Sequence, residues 1–139
     1  RIRLIHNTVV AASSRPFLVE RTTIAERFPQ VIAANNFIER GEGVALLANV
    51  TMSLGNVIFD ADLFENRAQR NFHPRLGTPL VDRAVSSHAL LVDHDGLVRP
   101  IDGDGNGSAE PDVGAFERRY TESAYSGRIG SLIPKPSDR

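Results

Sequence analysis

Three short segments constrain this chain more than any other feature of its 139 residues. Ile5-His6-Asn7-Thr8-Val9-Val10, Ala34-Asn35-Asn36-Phe37-Ile38 and Leu54-Gly55-Asn56-Val57-Ile58 each set an Asn among β-forming residues. The asparagines are 29 and then 20 residues apart, a spacing within the range of solenoid coils made from short strands and tight turns. Asn suits the corner of such a coil because it tolerates left-handed backbone and its amide bonds to the same residue one coil away, as a ladder. Residues 44–52 form a further β-rich run entered through Gly41 and Gly43, and residues 23–28 allow one helical turn before Pro29. Nothing over residues 1–60 sustains a helical period. They are expected to form stacked coils of a parallel β-helix, with Asn7, Asn36 and Asn56 as structural corner residues.

Beyond residue 60 the texture changes. Pro74, Gly77, Pro79, Gly96 and Pro100, then glycines 103, 105, 107 and 114, interrupt the chain too often for long strands. A solenoid must cover its open edge and apolar interior, so residues 61–120 are expected to be an irregular C-terminal cap. Residues 121–139, rich in Ser, Gly and Arg and carrying Pro134 and Pro136, are expected to be a tail or linker. The chain opens without Met, directly in a strand-like run, which predicts a piece of something longer.

Composition narrows the partners. Hydrophobic residues are 41% and charged residues 24%, as in an ordinary globular domain, and no apolar run approaches the ~18 residues of a membrane span. A net charge of −1 supplies no positive field for nucleic acid. The absence of Cys removes disulfides, thiolate zinc sites and Cys nucleophiles together.

The cap carries three ordered elements. They are Asn71-Phe72-His73-Pro74-Arg75-Leu76-Gly77-Thr78-Pro79-Leu80-Val81-Asp82-Arg83-Ala84, then Asp93-His94-Asp95-Gly96-Leu97-Val98-Arg99-Pro100, then Asp112-Val113-Gly114-Ala115-Phe116-Glu117. This order closely resembles the C-terminal signature of secreted right-handed parallel β-helix proteins of the "choice-of-anchor Q" type. Thr78 stands where that pattern usually has Ser, and Ala84 where it often has Gly. The resemblance implies an all-β, right-handed parallel β-helix with a C-terminal cap, and a secreted or cell-surface location in bacteria. It implies polysaccharide-lyase-like or carbohydrate-binding architecture but no particular reaction.

The sharpest chemical motif is Asp102-Gly103-Asp104-Gly105-Asn106-Gly107-Ser108, which matches the front half of a calcium loop. The position where an EF-hand needs Glu is Val113, so a full EF-hand is rejected. A shortened calcium site would use Asp102, Asp104, Asn106, the Ser108 carbonyl and Asp112, against the alternative of a plain glycine-rich turn. Asp82, Arg99 and Asp112 sit beside apolar neighbours, so burial and pairing are expected, with Arg99 bound to an Asp to pin the cap and Glu117 available to join. His6, His73, His88 and His94 form no recognisable catalytic pair, and Asp60, Asp62 and Glu65 cluster without glycosidase geometry. No Ser nucleophile elbow or phosphate loop is present, and the sequons at Asn49 and Asn106 are read as chance.

Two functions follow as expectations. The first is a non-catalytic extracellular module that contacts polysaccharide or serves as a scaffold. The second is the C-terminal part of a polysaccharide-degrading lyase or glycoside hydrolase whose groove lies on other coils. A lyase for acidic sugars would carry a basic stripe, but the aligned positions are Arg3, Ile32 and Met52. In either case the N-terminal face is expected to be covered by the remaining coils, a partner chain or a second copy.

Overall fold

The computed structural model describes residues 2–10, 31–39, 50–59 and 62–119. The strand expected over 44–52 lies largely outside these residues, and the helical turn over 23–28 and the tail over 121–139 lie wholly outside them. The described chain is all-β, with two single-turn 3-10 segments and no helix long and apolar enough to cross a membrane.

Each Asn segment forms one strand–turn–strand unit. The first is β1 (Ile2–Ile5) and β2 (Thr8–Val9), the second β3 (Val31–Ala34) and β4 (Phe37–Glu39), the third β5 (Met52–Leu54) and β6 (Val57–Phe59). The units pair in parallel, giving two three-stranded sheets of order β1-β3-β5 and β2-β4-β6. Arg3, Ile32 and Met52 stand in register in one sheet, and Thr8, Phe37 and Val57 in the other.

Each corner turns through a left-handed residue: His6 at φ 53, Asn35 at φ 57 and Gly55 at φ 58. This corrects the expectation for Asn7, Asn36 and Asn56, which follow the left-handed residue instead of adopting that conformation. Their role is in side-chain bonding. Asn36 Oδ1 accepts from the backbone N–H and the Nδ2 of Asn7 at 2.9 and 2.8 Å, and Asn56 Oδ1 accepts the same pair from Asn36 at 3.0 and 2.8 Å. Asn36 Nδ2 and Asn56 Nδ2 also donate to Leu4 and Ala33 carbonyls in the preceding unit. At the third unit the last amide proton goes to Ser53 Oγ at 3.0 Å.

After the three units come β7 (Phe64–Asn66), a 3-10 turn (Arg67–Gln69) and β8 (Asn71–Pro74), an antiparallel hairpin, in the region expected to be a cap. Asn66 caps the turn by accepting from Gln69 N–H, and Arg70 closes it in left-handed conformation. A bidentate Arg67–Glu39 pair ties the hairpin turn to β4. Inside, Phe64 packs edge-on against Phe37 at 5.1 Å and against Phe72 at 5.4 Å, with Leu63, Leu80, Ala84 and Val113 completing the core. Burying side chains of this size stabilises by about 1.5–3 kcal/mol each. Phe37 thus holds the parallel sheets to the cap. A second 3-10 turn (Ser86–His88) follows in the cap.

Candidate functional site

The polar centre of the molecule lies where the corners of the first two units meet residues 80–117. Arg99 is 6% exposed, and Glu117 and Asp112 are fully buried. Arg99 Nη1 donates to Glu117 Oε1 at 2.6 Å and to the Asp112 carbonyl at 2.9 Å, and Nη2 donates to the Gly114 carbonyl at 2.9 Å. The expected Arg99–Asp pair is therefore corrected: the carboxylate partner is Glu117, and Asp112 meets the guanidinium through its backbone. Asp112 is occupied elsewhere, its Oδ1 accepting from Asp82 N–H at 2.7 Å and its Oδ2 from Arg118 N–H at 2.6 Å. Glu117 further accepts from the N–H groups of Asp112 and Ile101, and its own N–H donates to Asp93 Oδ2.

His6 joins this centre, and its protons can be assigned from the network. Arg99 Nη1 lies 2.8 Å from His6 Nδ1, but its two protons are taken by Asp112 and Glu117. Asn35 is held by Val85, accepting from its N–H at 2.7 Å and donating to its carbonyl at 3.1 Å. The remaining Asn35 amide proton reaches His6 Nε2 at 3.1 Å, so Nε2 accepts. Nδ1 then carries the ring proton and donates it to the Gly114 carbonyl at 3.1 Å. Burial, and then the adjacent guanidinium, push the His6 pKa from 6.5 down to about 4, so the ring is neutral at ordinary pH.

Burial acts on the other groups in the same way. It pushes the Asp112 carboxyl up to about 7, against the two backbone donors that pull it down. It also raises Glu117 and lowers Arg99, with each partner's charge opposing the effect on the other. The surrounding chain leaves almost no room for change. Gly114, at φ +100, would place a Cβ 2.6 Å from Thr8 Oγ1, the atom that accepts from Ala115 N–H.

The glycine-rich loop is a separate feature on the surface. Asp102 Oδ1 accepts from Gly105 and Asn106 N–H groups and Oδ2 from Gly107 N–H, while Asn106 Oδ1 accepts from Ser108 N–H. Gly107 N–H chiefly holds the Asp102 carboxyl below its usual range. Closure of this loop by Asp112 is corrected, because both Asp112 oxygens are bound inside the cap. Asp82 takes its place: at φ 53 its carboxylate accepts from Gly103 and Asp104 N–H groups, and Asp82, Asp102 and Asp104 each bring an oxygen within 4.8 Å of the others. Burial, then the charges of Asp104 and Asp102, raise the Asp82 pKa.

A cleft of about 550 Å³ runs along the outer edge of the first unit. Ile5, His6, Asn7, Thr8 and Val9 form one wall, Leu90, Val92, Asp93 and His94 the other, with Arg99 beneath. His94 and His73 both pack on the Phe116 ring, at 4.9 and 4.8 Å, and His73 Nε2 lies 3.0 Å from Asp95 Oδ2. His88 Nδ1 lies 3.0 Å from Ser87 Oγ. Asp62 meets Arg75 at 3.5 Å and Glu65 pairs with Arg118. Asp60 lies outside the described residues.

Sequence reasoning passed over His6 and Asn35 as functional parts of the centre. The available signal was a polar residue immediately before two of the three corner asparagines.

No protein-family model, curated protein or solved structure matches the chain. The geometry by itself defines an all-β chain in which two small parallel sheets are joined to residues 62–119 by Phe37 packing and by the hydrogen bonds of His6, Thr8 and Asn35, around a buried arginine–glutamate pair.

Proposed function

We propose that this chain is a non-catalytic extracellular or cell-surface module: the capped end of a right-handed parallel β-helix of the choice-of-anchor Q type, acting as a structural scaffold or a polysaccharide contact. The observation that carries the reading is how the buried ionisable groups are used. His6, Asp112 and Glu117 use their acceptor atoms on backbone groups, on Asn35 or on Arg99, and among the described residues the one unpartnered group of the cluster is the buried Nε–H of Arg99, a donor and not a base. A general base needs its acceptor within reach of a substrate proton. The in-register parallel strands and the asparagine ladder support the β-helix part of the proposal, and the three signature elements in the cap support the family.

The test is incubation with neutral and uronate-containing polysaccharides, with and without calcium. The expected result is no new reducing ends and no unsaturated uronate absorbance. Cleavage products that vanish in an Arg99 or His94 variant of retained fold would overturn the proposal in favour of a lyase or hydrolase.

A second proposal rests on a separate observation. The convergence of Asp82, Asp102 and Asp104, where burial first and then like charge raise the Asp82 pKa, is relieved by a divalent cation, and an all-oxygen donor set favours calcium. Calcium then raises the melting temperature, EDTA reverses this, and Asp104→Asn abolishes the response. Identical melting curves with calcium and with EDTA reduce the loop to a turn.

A further inference from the structure

The three corners repeat one bonding pattern, and among the described residues the first corner has its outer half unused. Between successive units the left-handed residue donates its N–H to the carbonyl just before the next left-handed residue: His6 to Ala34 at 3.1 Å, Asn35 to Leu54 at 2.9 Å. In return, the residue after the next Asn donates its N–H to the Asn carbonyl above: Phe37 to Asn7 at 2.9 Å, Val57 to Asn36 at 2.8 Å. The Asn side chains add their own link, each Oδ1 taking the N–H and Nδ2 of the Asn in the unit before.

Extended outward by one step, the same pattern specifies three open groups on the first unit. They are the Ile5 carbonyl, Asn7 Oδ1 and the Thr8 N–H. Asn7 Oδ1 accepts nothing among the described residues, and the Ile5 carbonyl takes only a long 3.4 Å contact from Asn7 Nδ2. All three residues line the 550 Å³ cleft, whose far wall offers the half-exposed side chains of Leu90 and Val92.

We propose that this cleft is a docking groove for a polypeptide strand–turn–strand segment that adds in parallel to β1 and β2, with an Asn directly after its left-handed corner residue. The incoming corner N–H meets the Ile5 carbonyl, the incoming Asn N–H and Nδ2 meet Asn7 Oδ1, and the incoming Asn carbonyl takes the Thr8 N–H. Main-chain pairing supplies affinity and the Asn supplies register, as in other strand-addition sites. The occupant is not the far edge of a second copy. At that edge the amide proton that the pattern would hand onward is bound to Ser53 Oγ. The inference rests on the β-helix reading of the units, not on whether the module is catalytic.

The natural probe is the chain's own second unit, because Asn36 already makes this set of bonds to the third. A fluorescent peptide of residues 31–39 is titrated with the whole chain and read by anisotropy, beside an Asn36→Asp peptide and a reversed-order peptide. Asn36→Asp keeps shape and backbone but sets a carboxylate against Asn7 Oδ1. Saturable binding is expected, weakened about tenfold or more by Asn36→Asp or by reversal. Equal binding of all three peptides, or none at the highest soluble concentration, overturns the proposal. Dimerisation of the chain alone, lost on adding the peptide, assigns the groove to a second copy and overturns the stated occupant. Polysaccharide cleavage would overturn the proposed function and leave this result untouched, so the two readings fail separately.

Discussion

His6 reports on the buried centre through its titration. Its pKa falls from 6.5 to about 4 on folding, so below 6.5 the unfolded chain binds a proton that the folded chain refuses, and stability is lost as pH falls through that window. Asp112 acts oppositely: its carboxyl rises from 3.8 to about 7, so the folded chain holds a proton that the unfolded chain releases, and stability is lost as pH rises across that range. The slopes oppose one another between about pH 4 and 7. His6→Asn uses the residue that the second unit accepts at the same left-handed corner, and separates them. The variant's deficit against the wild type should shrink by about 2 kcal/mol between pH 7 and pH 5, read from urea unfolding at each pH. A deficit constant with pH would show that the ring is not held neutral. Arg99 offers a second residue-scale prediction. Arg99→Met leaves Glu117 buried without its cation and should cost about 3–5 kcal/mol, whereas Arg99→Met with Glu117→Gln should recover part of that loss. Additive losses would mean that the pair is not coupled.

Among the elements, the ladder strands depend on Asn36 as well as on their buried apolar residues. Its side chain fills both Nδ2 protons and both Oδ1 lone pairs and is fully buried. Asn36→Ala orphans the Leu4 carbonyl and Asn7 amide at once, and should cost about 2–4 kcal/mol in urea unfolding, at 1–3 kcal/mol per buried unsatisfied group. A loss below about 1 kcal/mol would show that water replaces the ladder. These elements were legible in the sequence because a ladder demands the same residue at every level, and that demand survives unequal spacing. The identity of the left-handed position was not legible. His6, Asn35 and Gly55 share no side-chain chemistry, only tolerance of that backbone, and two of them serve different partners in the cap. The cap was legible as punctuation but not as pairing. Asp82 and Asp102 are 20 residues apart and meet through the Gly103 and Asp104 N–H groups that Asp82 accepts and through Asp112, which anchors the Asp82 backbone, and nothing local distinguishes Glu117 from an aspartate as the partner of Arg99.

For the whole molecule, protection should be graded across the units. All residues of β3, with Phe37 and Ile38, are buried, whereas Ile2 is 47% exposed and β1 and β2 pair on one side only among the described residues. Amide hydrogen exchange should be slowest at β3 and β4 and fast at Thr8, whose N–H points away from the second unit. Protection at Thr8 equal to that at Phe37 would mean that its outward edge is already covered.

The hydroxyl of Ser53 has a consequence for solubility. A chain whose two ends complement each other by translation polymerises without limit, since a head-to-tail contact that closes no ring makes a fibre. Among the described residues one end of the ladder accepts and the other has its donor satisfied internally. Ser53→Ala would free the amide proton of Asn56, and head-to-tail association of the variant, read as light scattering that rises with concentration and is absent from the wild type, is the expected outcome.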